Sequence, residues 1–242
     1  MIAIVLAGGL GTRLRSVVSE VPKPMADVNG KPFLYYLLTY LQKEGFSRVI
    51  LAVGYKSEVI HDFFGCRFKN LRIDYSVEPA LKGTAVATLT AISDYSLKAP
   101  IWVINGDTFT AISYESADSK FRNEEVDVGF TITNPPDTFY RTEAFQRNIK
   151  NFKGRVLSPR KYHLDFLNCG STFLSAPDLF FSEMKSSTLG GNFEDCLTAF
   201  INNDRCRNIS LTECEFLEFF DIGTPFYYEK FKAECREGFC FD

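Results

Sequence analysis

A chain of 242 residues with 45% hydrophobic and 24% charged side chains is long enough to bury a large core and has the balance of a soluble globular enzyme. Its formal net charge of −3 excludes a general nucleic-acid binder, because such domains carry a basic surplus; any basic patch must be local. Seven cysteines without a C-x-x-C pair and only two histidines, His61 and His163, exclude the usual zinc-ligand spacing, and their odd, scattered count fits free thiols in a reducing cytosol.

The chain opens with an apolar run, Ile4, Val5 and Leu6, that gives way to glycines by position 8 and has no basic region before it. A secretory signal is therefore not expected. No apolar stretch approaches the ~18 residues of a membrane helix, so the expectation is a cytoplasmic protein without a membrane partner. The run reads as a buried strand opening into an anion-binding loop, Ala7-Gly8-Gly9-Leu10-Gly11-Thr12-Arg13, with Lys23 following between two prolines. Glycines at the carboxyl end of a parallel strand let backbone N–H groups approach phosphates, and Arg13 and Lys23 would add positive charge. The Gly-Lys-Ser/Thr phosphate loop is absent. The dinucleotide fingerprint also fails, since Leu14 follows Arg13 where its last glycine belongs.

Next, Phe33, Leu34, Leu37, Leu38 and Leu41 recur at helical spacing, with Pro32 suited to the first helical position and Gly45 to the C-terminal cap. Arg48 to Val53 reads as a strand, Lys56 to Phe64 as a helix and Leu71 to Val77 as a strand ending at Glu78. A loop then leads into a helix beginning near Thr84. Trp102, Val103 and Ile104 form another buried strand, closed by Asn105-Gly106-Asp107, so three strands point at one edge. Val126 to Thr133 alternates like a strand, and residues 134–160 have weak periodicity. Strands follow near Phe152–Leu157 and Phe166–Leu174, then helices over Pro177 to Met184 and Phe193 to Ile201, the second with Asn192 as cap. A last strand over Phe216–Phe220 ends at Asp221-Ile222-Gly223-Thr224-Pro225, and the tail from Phe226 reads as a helix. Its aromatic residues fit either core packing or a homodimer contact.

The alternation predicts an α/β, Rossmann-like fold with a mostly parallel mixed central sheet flanked by helices. No linker, repeat or low-complexity tract divides it, so residues 1–242 read as one domain, with 1–110 on the nucleotide side and 111–242 carrying the acceptor side and the C-terminal helix. Asp107 and Asp221 each follow an apolar strand. Beside a phosphate-type loop, two such acids suggest a magnesium pair, since Mg2+ in phosphoryl-transfer sites takes one or two carboxylates plus phosphate oxygens.

Gly8, Gly9, Gly11, Thr12, Arg13, Leu14, Pro22, Lys23 and Pro24 match the A-G-G-x-G-T-R-L and P-K-P signature of the sugar-phosphate nucleotidyltransferases, which this chain resembles along nearly its whole length. The resemblance implies attack by a sugar 1-phosphate on the α-phosphorus of a nucleoside triphosphate, with release of pyrophosphate. It assigns Mg2+ to Asp107 and Asp221, the departing phosphates to Arg13 and the α-phosphate region to Lys23. Leu6, Ala7, Gly8, Gly9, Gly11 and Thr12 would hold the nucleotide. Glu78, with Gly83, Thr84 and Ala85, resembles the E-x-x-x-x-G-T-A base loop of the family's guanylyltransferases. A carboxylate accepts the paired N1–H and N2 amino donors of guanine, which points to GTP. Asn105, Gly106, Asn168, Gly170 and Glu194 match positions near the sugar. The run from Gly8 to Phe33 and Val53-Gly54-Tyr55-Lys56 look most like the D-glycero-α-D-manno-heptose 1-phosphate guanylyltransferase branch, which makes a GDP-sugar for capsule or lipopolysaccharide. The chain departs from that branch at Asp27, at 82–87, at Arg141-Thr142-Glu143 and at 158–161. Mannose 1-phosphate or another hexose 1-phosphate is the alternative acceptor, and a non-catalytic nucleotide-sugar-binding regulator the alternative of another class.

Overall fold

The computed structural model describes residues 1–9, 14, 21–78, 82–133, 167–185, 191–202, 205–214 and 219–236. The strand expected near 152–157 and the segment 134–160 lie outside them.

Strand β1 (Ile2–Leu6) is apolar throughout and buried on both faces, the pattern of a central parallel strand. A single 3-10 turn at Lys23–Met25 leads to a small hairpin of β2 (Asp27–Val28) and β3 (Lys31–Pro32), then to helix α1 (Phe33–Lys43). Pro32 is the extended residue before α1 rather than its first helical residue. Gly45, with φ +84°, ends the helix in the left-handed conformation, and the Phe46 amide reaches back to the Leu41 carbonyl. Then come β4 (Arg48–Val53), α2 (Ser57–Phe64), β5 (Arg67–Phe68), β6 (Leu71–Val77), α3 (Thr84–Asp94), β7 (Ile101–Asn105) and β8 (Thr108–Thr110). The chain continues through α4 (Tyr114–Asn123), β9 (Val128–Thr133), β10 (Leu167–Leu174), α5 (Pro177–Met184), α6 (Phe193–Ile201), β11 (Ile209–Glu213), β12 (Phe219–Asp221) and α7 (Pro225–Arg236).

The main sheet has the order β11-β9-β10-β7-β1-β4-β6-β5. Its centre, β7-β1-β4-β6, is parallel, while β10 runs antiparallel to both β7 and β9. This is the mixed, mostly parallel α/β sheet that the alternation predicts. Alternate residues of β1 feed two cores: Ala3 and Val5 join Leu37, Leu41, Phe121 and Phe231, whereas Ile4 and Leu6 join Ala91, Phe180, Leu197 and Phe200. Helices α1, α2, α4 and α7 thus cover one face, and α3, α5 and α6 the other.

Besides the 3-10 turn and the two-residue strands β2, β3 and β5, three elements were not anticipated. Helix α4 reads Tyr-Glu-Ser-Ala-Asp-Ser-Lys-Phe-Arg-Asn, and its inward stripe of Tyr114, Ala117 and Phe121 is interrupted by Asp118, buried because it accepts the Trp102 indole N–H at 3.1 Å. Strand β11 is a half-buried edge strand with little apolar alternation. Strand β8 has three residues and pairs with β12 outside the main sheet, so the last strand belongs to this ribbon. Tyr228 and Phe231 of α7 enter the core, with the Phe231 ring 4.9 Å from that of Phe33, while Phe226 is 71% exposed. No disulfide joins the six described cysteines. No helix among the described residues is long and apolar enough to cross a membrane.

Candidate active site

The connections reverse direction between β1 and β7, the place where open α/β sheets bind ligands at their carboxyl ends. Leu6 pairs with Ala52 on one side and Asn105 on the other, so Ala7, Gly8 and Gly9 emerge beside Gly54 and Asn105-Gly106-Asp107. The Ala7 amide donates to the Ala52 carbonyl at 2.8 Å, and the Gly106 amide to the Leu6 carbonyl at 3.0 Å. A Cβ on Gly106 would stand 2.7 Å from the Leu6 oxygen, and one on Gly8 3.2 Å from the Gly54 nitrogen. Side chains would wedge these strand ends apart. Gly9 faces open space. Gly11, Thr12 and Arg13 lie outside the described residues, and Leu14 beyond them is buried in the core.

The ribbon of β8 and β12 brings the two aspartates together. Asp221 pairs with Thr108, and the Ile222 amide donates to the Asp107 carbonyl at 3.0 Å. Lys23, only 8% exposed, places Nζ 2.6 Å from Asp107 Oδ2 and 3.8 Å from Asp221 Oδ1. The Thr108 hydroxyl donates to Asp107 Oδ1 at 3.2 Å, and the Gly223 amide to Asp221 Oδ1 at 2.7 Å. A Cβ on Gly223 would come within 2.7 Å of that oxygen and 3.1 Å of Lys23 Nζ. Two carboxylates therefore converge on one cationic group. Among the described residues no cluster of three or more metal-ligating side chains occurs. A hard cation held by two carboxylates and completed by phosphate oxygens and water, as Mg2+ is, fits this donor set.

Asn168 and Gly170 sit on a bulged stretch of β10, with Gly170 against Asn105. The Asn168 side-chain oxygen accepts the Gly170 amide at 2.8 Å. Gly170 has φ +76°, and a Cβ added there would stand 2.8 Å from Asn105 Nδ2. Cys169 between them gives its carbonyl to the Thr110 hydroxyl at 3.0 Å, tying β10 to the ribbon. This brings Asn105, Gly106, Asn168 and Gly170 into one group beside Asp107.

Glu78 follows the end of β6, its amide bonded to the Val53 carbonyl at 2.9 Å. Its Oε1 is buried without a hydrogen-bond partner among the described residues, and burial raises its pKa above the ordinary 4.5 against the opposing charge of Lys82. An acceptor in that condition is suited to a ligand donor. Thr84, expected at the nucleotide, accepts the Phe193 amide on its hydroxyl at 2.7 Å. Asn192 makes no side-chain cap to α6, so the expected cap is replaced by Thr84. Glu194 lies in the first turn of α6.

Sequence reasoning missed Thr108 and Gly223 as supports of the two acids. The signals were present: a β-branched residue directly after Asp107, and a glycine two residues after Asp221, where a carboxylate commonly accepts the i+2 amide.

The nucleotidyl transferase family model matches residues 2–140. A D-glycero-alpha-D-manno-heptose 1-phosphate guanylyltransferase of Campylobacter jejuni is 32% identical over 233 residues, 96% of this chain and 98% of that protein. One from Aneurinibacillus thermoaerophilus is 33% identical over 238 residues, 98% and 99% of the two chains. The structure of HddC from Yersinia pseudotuberculosis complexed with GMP-PN aligns with a TM-score of 0.69 and 25% identity, covering 97% of this chain and 99% of the other. With the glycine loop, the paired aspartates and these near full-length likenesses in register, the chain belongs to the nucleotidyl transferase family.

Proposed function

We propose that this protein is a Mg2+-dependent guanylyltransferase that joins GTP and D-glycero-α-D-manno-heptose 1-phosphate into a GDP-sugar and pyrophosphate for surface polysaccharide, acting in the cytoplasm. The observation that carries the reading is the convergence of Asp107 and Asp221 on the buried Lys23 ammonium beside the Gly8-Gly9 strand end. Residues 1–242 work as one domain, a reading supported by the sheet that continues from β6 through β7 to β9.

The acceptor phosphate is already an anion, so no general base is required. A phosphate oxygen forms a bond to the α-phosphorus as the bond from that phosphorus to the bridging oxygen of pyrophosphate breaks; the charge of two polyanions passes to GDP-sugar and pyrophosphate without a proton transfer. The difficulty is bringing those anions together in line. Magnesium held by Asp107 and Asp221 would offset charge on the phosphates and polarise the reacting one. Lys23, held by the same acids, is a buried cation that would meet the α-phosphate, and Arg13 would neutralise the departing phosphates. The backbone of Leu6, Ala7, Gly8, Gly9, Gly11 and Thr12 would line the nucleotide. Glu78 would take the two guanine donors on its carboxylate, whose Oε1 is buried without a partner among the described residues, and Asn105, Gly106, Asn168, Gly170 and Glu194 would face the sugar.

The reading is tested by pyrophosphate release from GTP and heptose 1-phosphate with Mg2+. Wild type should turn over, and Asp107→Asn should lose about 10²- to 10³-fold in rate while keeping its fold by circular dichroism. Normal turnover in that variant would sink the metal assignment.

A further inference from the structure

The amino ends of α3 and α6 hold each other. Phe193 donates its amide to the Thr84 hydroxyl at 2.7 Å, and Ala85 donates its amide to the Gly191 carbonyl at 3.1 Å, across a sequence separation of 109 residues for the first pair. Gly83, at φ +102°, lies so close to Gly191 that an added Cβ would overlap its backbone, with the Gly191 carbonyl carbon at 2.9 Å. No side chain fits between the two segments. Asn192 occupies the N-cap position of α6 with extended dihedrals, φ −78° and ψ 146°, yet its side chain makes no capping bond. Helix α6 therefore takes its cap from the other half of the chain. The Phe193 side chain is buried against Phe180, so the first turn cannot swing away freely. Thr88 reinforces the same corner by donating to the Thr84 carbonyl at 2.8 Å.

From this geometry we infer that Thr84 is a positioning residue for the acceptor side of the site: its hydroxyl transmits the placement of the amino end of α3 to the first turn of α6, where Glu194 stands. A base that settles on Glu78 fixes the chain where it enters α3, and the Thr84–Phe193 bond then holds the turn that carries Glu194. The inference rests on the proposed substrates for its direction, nucleotide first and sugar phosphate second, and it assigns Thr84 no contact with either.

The test compares full-length wild type with Thr84→Val, which keeps the shape but removes the acceptor, and with Thr84→Ser, which restores it. In Thr84→Val the KM for the sugar 1-phosphate should rise about five- to tenfold, the scale of losing one helix cap, while the KM for GTP changes less than about twofold. Thr84→Ser should return to near the wild-type value. Hydrogen exchange of the peptide spanning 192–197 should slow when GTP binds wild type, and this slowing should vanish in Thr84→Val. A rise confined to the KM for GTP, no rescue by serine, or unchanged exchange in Thr84→Val would overturn the inference. Should wild type turn over no pair of substrates, the substrate reading fails by itself. Exchange at 192–197 without nucleotide then still decides whether this hydroxyl holds α6, faster in Thr84→Val supporting it and equal exchange refuting it.

Discussion

Glu78 carries a carboxylate oxygen that is buried without a partner among the described residues, a condition that costs stability and suits a ligand donor. Burial raises its pKa above 4.5, and the charge of Lys82 opposes this only in part. The sign follows directly: the raised pKa favours the folded state most below pH 4.5, and that contribution is lost as pH rises through the folded value. The proposed pairing of Glu78 with guanine requires the ionised form. GTP affinity should therefore increase as pH climbs through the raised pKa, and binding in that window should release a proton, measurable by calorimetry in buffers of different ionisation enthalpy. Glu78→Gln should abolish the proton release and reduce discrimination of GTP against UTP and dTTP by about 10- to 100-fold. An unchanged preference would mean that the base is read elsewhere. The residue's type and place at a strand end were legible in the sequence, whereas its lack of a partner depends on the packing of elements far apart in the chain. The same holds for Lys23: its position between two prolines is visible in the sequence, but its burial between Asp107 and Asp221 is not.

At the scale of elements, Gly106 sets the approach of β7 to the end of β1. Its alanine variant would press a methyl group to within 2.7 Å of the Leu6 carbonyl oxygen, against the Leu6–Ala7 backbone, so the strand ends must part. Gly106→Ala should cost about 1–3 kcal/mol in chemical denaturation and lower turnover by displacing Asp107; unaltered stability would mean that the corner is looser than the geometry gives. In the core beneath α4, Phe121 packs against Trp102 and Phe173 at ring-centre distances of 5.8 and 5.5 Å, and Phe121→Ala should cost about 3–5 kcal/mol. Central strands β1, β4 and β7 were legible because burial on both faces writes a continuous apolar run into the sequence. Helix α4 was not, because its buried Asp118 is satisfied by Trp102 and Arg122 and so breaks the apolar stripe. The ribbon of β8 and β12 was missed for a different reason: each strand has three residues, and their pairing joins parts of the chain that no local pattern connects. Yet that ribbon is what brings Asp221 to Asp107.

Across the whole molecule, one sheet spans the described residues from β6 to β9, and the loops at the carboxyl ends of its parallel strands gather the glycines, Glu78 and Asp107. Antiparallel β10 extends the sheet and lays Gly170 against Asn105, while α6 is capped from the start of α3 through Thr84. The proposed reaction needs this arrangement, since nucleotide and sugar phosphate must meet in line at one phosphorus. The most direct measurement is pyrophosphate release by the purified protein with Mg2+ over a matrix of GTP, ATP, CTP, UTP and dTTP against heptose, mannose and glucose 1-phosphates. The account predicts that GTP with D-glycero-α-D-manno-heptose 1-phosphate has the highest kcat/KM, by about 10²-fold over the pyrimidine triphosphates, and yields GDP-heptose. Release of no pyrophosphate from any pair, or preference for UTP or dTTP, would contradict it.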